Sequence, residues 1–214
     1  GDRYDDIDVH KTVKTAIKRN HKYIREEDVR IHERESEGGI EIIYAIDASG
    51  SMKGKKIEMT KKAGVALAYK AIDNKDTVGV IVFGSDVKSS VAPTDDFYVL
   101  MKELAAVSAS KETDFGKTIE QAVTLFSEKQ EVTKHLTFIT DGMPTVGEDP
   151  VKTALDSIAI ASAAGITISM IGVEIDTEAA EFLKKAAELG NGKFHEVKNA
   201  DQLDTIILED YNEI

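Results

Sequence analysis

The stretch IIYAIDASGSM, residues 42–52, decides how this chain folds. Five apolar or aromatic residues run without a break into Asp47, and Ser49 and Ser51 follow on either side of a glycine. A nearly continuous apolar run of this length is typical of a strand in a parallel sheet whose two faces are both covered by helices. We therefore predict a buried strand over residues 41–46, with Asp47 at its carboxyl end.

Beyond this strand, short apolar runs alternate with amphipathic segments of helical period, which is the pattern of parallel strands joined by crossover helices. The apolar runs predict further strands over residues 78–83, 135–140 and 166–173. The amphipathic segments predict helices over residues 56–72, 97–107, 117–127, 151–164, 177–189 and 200–208. Asp114, Asp149 before Pro150, and Asn199 are candidate helix caps.

One connection is too short to contain a helix. Only Gly84, Ser85 and Asp86 separate the second strand from the polar run over residues 87–92, so we predict a hairpin and an antiparallel edge strand. The fold class that follows is α/β, a doubly wound, Rossmann-like and mostly parallel sheet of about six strands flanked by helices. Its usual strand order is 3-2-1-4-5-6.

The first 39 residues differ in composition from the rest of the chain. They are polar, carry both signs of charge and end in a Gly38–Gly39 pair that breaks regular structure. We predict a helical and extended lead-in over residues 1–39 that packs on a main domain over residues 40–214. Because the chain opens with Gly1 and Asp2 and has no initial methionine, we expect it to be a segment of a longer protein.

Charge and composition limit the classes of partner. The formal net charge is −12, and such an acidic surface repels nucleic-acid backbones and anionic membranes. The absence of cysteine excludes disulfides and thiolate metal sites. No apolar run approaches the roughly 18 residues of a membrane span, and no signal-peptide pattern opens the chain. We expect a cytoplasmic protein that binds neither nucleic acid nor membrane.

Two acids follow strands that the expected order makes neighbours, Asp47 after the first strand and Asp141 after the strand over residues 135–140. Ligands of doubly wound sheets bind beyond the carboxyl ends of the strands, where the winding direction reverses. Ser49, Ser51 and Thr113 add hydroxyl groups at the same edge, and Gly50 allows a sharp turn between the serines. Hydroxyls and carboxylates are the oxygen ligands that a hard divalent cation such as Mg²⁺ prefers.

Three segments carry a family resemblance: DASGSM over residues 47–52, KETDFG over residues 111–116 and TDG over residues 140–142. Together they resemble the metal-ion-dependent adhesion site of von Willebrand factor A domains, and the resemblance extends from about Ile40 to the C-terminus. It implies that Ser49, Ser51 and Thr113 bind Mg²⁺, with Mn²⁺ or Ca²⁺ as alternatives. It also implies that Asp47 and Asp141 hold the ion directly or through water, and that a partner's Asp or Glu takes an open coordination position.

The lead-in carries a second resemblance. Residues 7–16 and 24–30, which precede Asp47, are similar to the segment before the C-terminal domain of magnesium-chelatase D-type subunits. That resemblance implies a partner among AAA+ ATPase subunits. We therefore expect a non-catalytic, metal-dependent interaction module of a chelatase-like AAA+ assembly.

Two other functions stay open at this point. One is an adhesion module outside the cell or on its surface, and the other is a Mg²⁺-dependent enzyme that forms an aspartyl-phosphate at Asp47. A serine hydrolase would need Gly-x-Ser-x-Gly, which neither Ser49 nor Ser51 satisfies. Only three residues separate Gly50 from Gly54, one fewer than a phosphate-binding loop requires.

Overall fold

The structure is a computed structural model that describes residues 39–106, 113–129 and 131–214, together with the single residues 19, 23 and 25. The chain divides after Gly38, and the unit Gly39–Ile214 is the one described below. The predicted lead-in over residues 1–39 lies almost entirely outside the described residues and stays a prediction.

One six-stranded sheet forms the middle of the domain, in the order β3-β2-β1-β4-β5-β6. All neighbouring strands pair in parallel except β2 and β3, which form the predicted antiparallel hairpin. The predicted fold class, the strand order and the edge strand are therefore confirmed. The strands are β1 (Ile40–Asp47), β2 (Thr77–Phe83), β3 (Val87–Thr94), β4 (Thr133–Thr140), β5 (Ile166–Val173) and β6 (Asn191–Val197).

Helices cover both faces of this sheet. Among the described residues, none of them is both long enough and apolar enough to cross a membrane. In the part of the chain that the structure describes, two 3₁₀ turns accompany the helices, Gly50–Met52 and Ala200–Gln202. The helices are α1 (Lys55–Asp73), α2 (Phe97–Ala106), α3 (Phe115–Leu125), α4 (Pro150–Ala163), α5 (Thr177–Leu189) and α6 (Leu203–Asn212).

The side chains of β1 alternate between two hydrophobic cores, as the period of a strand requires. Ile42, Tyr44 and Ile46 pack with α1, α2 and α6, whereas Ile43 and Ala45 pack with α3, α4 and α5. Every residue from the third to the last position of β1 is buried. Burial on both faces explains why this strand appears in the sequence as an unbroken apolar run.

The three predicted caps are present. The side chains of Asp114, Asp149 and Asn199 each accept a hydrogen bond from a backbone N–H two or three residues further along the chain. Each cap satisfies a donor that the start of a helix or 3₁₀ turn leaves unpaired. Pro150 occupies the first turn of α4, as predicted.

The sheet has one strand that the sequence analysis did not assign. β6 lies at the edge beside β5, and most of its residues are partly or fully exposed. Its start fits only glycine, since a Cβ on Gly192 would lie 2.2 Å from the carbonyl oxygen of Ile168. The last helix also differs from its prediction, because a 3₁₀ turn precedes α6 and α6 continues to Asn212.

A buried carboxylate attaches α6 to the sheet. Asp210 accepts a hydrogen bond of 2.8 Å from Thr137 Oγ1, and Nε2 of His195 and of His135 lie 3.4 Å and 3.8 Å from its oxygens. The His195 contact is an ion contact, because its geometry falls short of a hydrogen bond. Burial acts to raise the pKa of Asp210, but its contacts with His195, His135 and Thr137 outweigh burial and lower that pKa.

The pKa values of the two histidines beside Asp210 shift in opposite directions. Contact with Asp210 raises the pKa of His195 above its usual 6.5, whereas burial lowers the pKa of His135 below 6.5. A raised histidine pKa gives stability that is fully present below the unfolded-state pKa and is lost as the pH rises through the folded-state pKa. A lowered histidine pKa gives stability that is present above the unfolded-state pKa and is lost as the pH falls through the folded-state pKa.

We predict that His195→Gln lowers the free energy of unfolding more at about pH 6 than at about pH 9, because only protonated His195 is held by Asp210. Urea unfolding of both proteins at each pH measures the difference. His135→Gln is the matched control, whose cost should grow as the pH rises. A cost of His195→Gln that is equal at both pH values, or larger at the higher one, would contradict the assignment.

Candidate metal centre

Parallel pairing of β1 with β4 brings two carboxylates together at one edge of the sheet. Asp47 ends β1, and Asp141 follows the last residue of β4. Ser51 Oγ donates to Asp141 Oδ1 over 2.7 Å and lies 3.0 Å from Ser49 Oγ. The Ser49 backbone N–H donates to Asp47 Oδ1 over 2.7 Å. Four of the five predicted site residues therefore form one continuous set of hydrogen bonds.

The side chain of Asp47 is held in place by burial and by hydrogen bonds to both of its oxygens. Its side chain is fully buried, and Thr140 Oγ1 donates to its second oxygen, Oδ2, over 2.6 Å. Burial raises the pKa of Asp47, and the nearby charge of Asp141 acts in the same direction. The bonds from Thr140 and Ser49 act against that rise, since they favour the ionised carboxylate.

The loop after β1 is held at both ends. The Ala48 backbone N–H donates to the Phe83 carbonyl over 2.8 Å, and Met52 is fully buried in the core. Between them the chain forms the 3₁₀ turn Gly50–Met52. The backbone does turn at Gly50, but it does so without a positive φ, so this turn does not use the conformational freedom of glycine.

Thr113, the fifth predicted residue, is brought to the same edge through its backbone. Its N–H donates to Thr145 Oγ1 over 3.0 Å, and its carbonyl accepts from the Thr145 N–H over 2.9 Å. The next residue, Asp114, donates its N–H to the Gly84 carbonyl over 2.7 Å. These bonds attach the Thr113 loop to the segments after β4 and β2, the two strands that flank β1.

An aromatic cluster lies next to this loop. Phe115 stacks on Phe138 with ring centroids 4.8 Å apart, and Phe83 and Phe182 pack edge-on against Phe115. Aromatic pairs of this geometry stabilise a structure beyond the area that they bury. Because Phe115 begins α3 only two residues after Thr113, the cluster fixes where the Thr113 loop ends.

The site contains a cation that the sequence analysis missed. Lys56 Nζ donates to Asp141 Oδ2 over 2.8 Å, with the lysine side chain 18% exposed and the aspartate side chain 2% exposed. Lys56 Nζ also lies 3.9 Å from Glu174 Oε2. In the sequence, Lys56 is one of five lysines between positions 53 and 62, and nothing in that run distinguishes it from its neighbours.

The side-chain atoms of the five predicted site residues that could ligate a metal ion are all oxygens. Within the described ranges, no three His, Cys, Asp or Glu side chains gather in a way that could hold a metal ion. A cation at this edge would therefore need the hydroxyls of Ser49, Ser51 and Thr113 in addition to the two carboxylates. Such a set fits a hard cation such as Mg²⁺ and not a soft one, which favours imidazole or thiolate.

The geometry disfavours the aspartyl-phosphate alternative. A nucleophilic carboxylate needs an accessible oxygen, but Asp47 is fully buried and both of its oxygens already accept hydrogen bonds. Asp47 therefore offers no free oxygen for attack on a phosphate, and its bonds hold the Ser49 backbone and the Thr140 hydroxyl in place.

Comparison with known proteins agrees with the fold. The protein BatB from Bacteroides thetaiotaomicron superposes with a TM-score of 0.67 at 22% identity, over 82% of this chain and 98% of that one. A von Willebrand factor type A protein from Catenulispora acidiphila superposes with a TM-score of 0.68 at 19% identity, over 80% of this chain and 42% of that one. At these identities the likeness shows the fold alone.

A sequence relative and a family model narrow the assignment. The chain is 30% identical over 129 residues to the magnesium-chelatase 67 kDa subunit of Heliobacterium mobile, which covers 58% of this chain and 19% of the relative. The chain thus spans about a fifth of that relative's length. The model of the von Willebrand factor type A domain matches residues 41–209. This chain therefore belongs to the von Willebrand factor type A domain family, whose members act as protein-interaction modules.

Proposed function

We propose that this domain is a metal-ion-dependent protein-interaction module that holds Mg²⁺, with Mn²⁺ or Ca²⁺ as alternatives. The observation that carries the proposal is the set of contacts that joins Asp47 to Asp141 through Ser49 and Ser51 at neighbouring strand ends. The proposed metal-site residues are Asp47, Ser49, Ser51, Thr113 and Asp141, of which the two carboxylates hold the ion directly or through water.

The side chains have different roles in the proposed metal site. Asp47, fixed by Thr140 and by the Ser49 backbone, orients the loop from its buried position. Ser49 and Ser51 offer hydroxyl oxygens, and Asp141 offers a carboxylate on the outer side of the cluster. When bound, the ion would supply a positive charge and one coordination position for a carboxylate of a partner protein.

Charge explains why binding should depend on the metal. The chain has a formal net charge of −12, and the site places two carboxylates close together. An approaching Asp or Glu of a partner is repelled by this field unless a cation lies between them. Burial of the resulting bridge would make recognition specific, because an unpaired charge in a desolvated interface is costly.

The proposed partner is an AAA+ ATPase subunit in a chelatase-like cytoplasmic assembly. The similarity to a magnesium-chelatase subunit supports that class. In this assembly the domain is a binding part and performs no catalysis. An adhesion module would use the same arrangement of oxygens, so the identity of the partner, and not the site, separates the two functions.

We predict that millimolar Mg²⁺ raises the melting temperature of the wild type. A ligand present at 100 times its Kd stabilises the folded state by about 2.7 kcal/mol, which corresponds to about 5–10 °C for a domain of this size. Differential scanning fluorimetry in Mg²⁺, Mn²⁺ and EDTA measures the shift. Asp141→Ala should abolish it.

Asp47→Asn is the matched control for folding. The amide oxygen can still accept from the Ser49 N–H, and the amide NH₂ can donate to Thr140 Oγ1, whose hydrogen can turn to the Gly142 carbonyl 3.4 Å away. Because the buried charge is also removed, the metal-free variant should melt no lower than the wild type. It should nevertheless lose the response to Mg²⁺. A wild type that shows no shift, or a shift that persists unchanged in both variants, would count against the proposed site.

We further predict that an AAA+ ATPase subunit from the same organism binds the immobilised full chain in Mg²⁺ but not in EDTA. The partner's acidic residue should be required, so a Glu→Gln or Asp→Asn scan of that subunit should find one position that removes binding. Binding that survives EDTA, or that Asp141→Ala leaves intact, would refute the metal bridge. Binding to a surface or matrix protein in place of the ATPase would favour the adhesion function.

A further inference from the structure

We propose that Lys56 is a positioning residue of this metal centre: a tethered cation that holds Asp141 in the metal-free protein and transfers to Glu174 when a divalent cation binds Asp141. This inference rests on the proposed metal-binding function. It goes beyond that function because it assigns to Lys56 control over the affinity and the charge selectivity of the site.

Lys56 is built into the edge of the site. It is the second residue of α1, and two residues of the turn that follows it, Ile57 and Thr60, are buried. The Thr60 hydroxyl donates to the Lys56 carbonyl over 2.9 Å, which adds to the bonds of the helix at this point. The backbone that carries Lys56 is therefore fixed, and only its side chain can change partner.

Glu174 is positioned as the second partner. It follows β5 with a φ of 52°, a left-handed conformation that residues other than glycine seldom adopt. Its N–H donates to the Val197 carbonyl over 2.7 Å, and its Oε1 accepts from the Ala200 N–H over 3.2 Å. Its other oxygen, Oε2, is the one that lies 3.9 Å from Lys56 Nζ.

The Lys56 ammonium competes with metal ions for the carboxylates at this edge of the sheet. Asp47, Asp141 and Glu174 supply three carboxylates, and Lys56 supplies an ammonium that touches Asp141. An ammonium on a short tether competes at a high effective concentration. A monovalent ion offers Asp141 no more charge than Lys56 already does, whereas a divalent ion offers twice as much. Lys56 would therefore exclude Na⁺ and K⁺ and set a threshold concentration for Mg²⁺.

The test compares Lys56→Met with the wild type, using the full chain. Isothermal titration with Mg²⁺ should show about tenfold tighter binding by the variant, because a positive charge beside the site is removed. In EDTA the same variant should melt about 5 °C lower, since Asp141 keeps the hydrogen bond from Ser51 but loses its cationic partner. A purely structural lysine would lower the melting temperature and leave Mg²⁺ affinity unchanged.

Lys55→Met is the matched control. Lys55 is the adjacent residue and also forms an ion pair, 2.6 Å from Asp201, but both of those side chains are more than half exposed and lie outside the cluster. This variant should change neither the Mg²⁺ affinity nor the melting temperature in EDTA.

A second variant tests the transfer to Glu174. In the wild-type background, Glu174→Gln should weaken Mg²⁺ binding, because Lys56 loses the place to which it moves. In the Lys56→Met background the same substitution should have a smaller effect, and the double-mutant cycle measures the coupling. Equal effects in the two backgrounds would overturn the transfer.

The outcomes separate this inference from the proposed function. If the wild type binds Mg²⁺ and Lys56→Met binds it equally well or more weakly, the role of Lys56 is refuted and the metal site stands. If only Lys56→Met shows measurable binding, both ideas are supported. If neither protein binds Mg²⁺, both are refuted.

Discussion

The constraint on which the site depends is the parallel pairing of β1 with β4. Parallel neighbours end at the same edge of a sheet, so an acid at each end produces two close carboxylates. One of them, Asp47, is also fully buried, which penalises its charge. The remaining features of this edge compensate for that arrangement: hydrogen bonds from Thr140 and the Ser49 backbone, the hydroxyl of Ser51, and the ammonium of Lys56.

Those features of the molecule that depend on local pattern could be predicted from the sequence. Burial on both faces makes β1 an unbroken apolar run, and the short Gly84–Asp86 connection leaves room only for a hairpin. The strand order then followed from the general rule for doubly wound sheets, and it placed Asp47 beside Asp141. Caps such as Asp114 were also visible, because a cap and the N–H that it satisfies are close in the sequence.

What the sequence did not reveal depends on contacts between distant segments. β6 is a half-exposed edge strand whose residues show no clear alternation, so its pairing with β5 left little trace in the pattern. Lys56 belongs to the site only through its contact with Asp141, which is 85 residues away in the sequence. Asp210 likewise depends on His195, His135 and Thr137, which three different positions of the sheet bring to α6. Contacts of this kind leave no periodic pattern in the sequence from which they could be predicted.

The proposed site requires five oxygen-bearing side chains, drawn from three separate segments of the chain, to share one hard cation. Anomalous X-ray diffraction from crystals of this protein grown in Mn²⁺ can test this sharing, because it locates the metal without reference to the protein atoms. We expect one anomalous peak, surrounded by side-chain oxygens of Asp47, Ser49, Ser51, Thr113 and Asp141. Crystals that contain Mn²⁺ but show a peak only elsewhere on the protein, or none at this edge of the sheet, would contradict it.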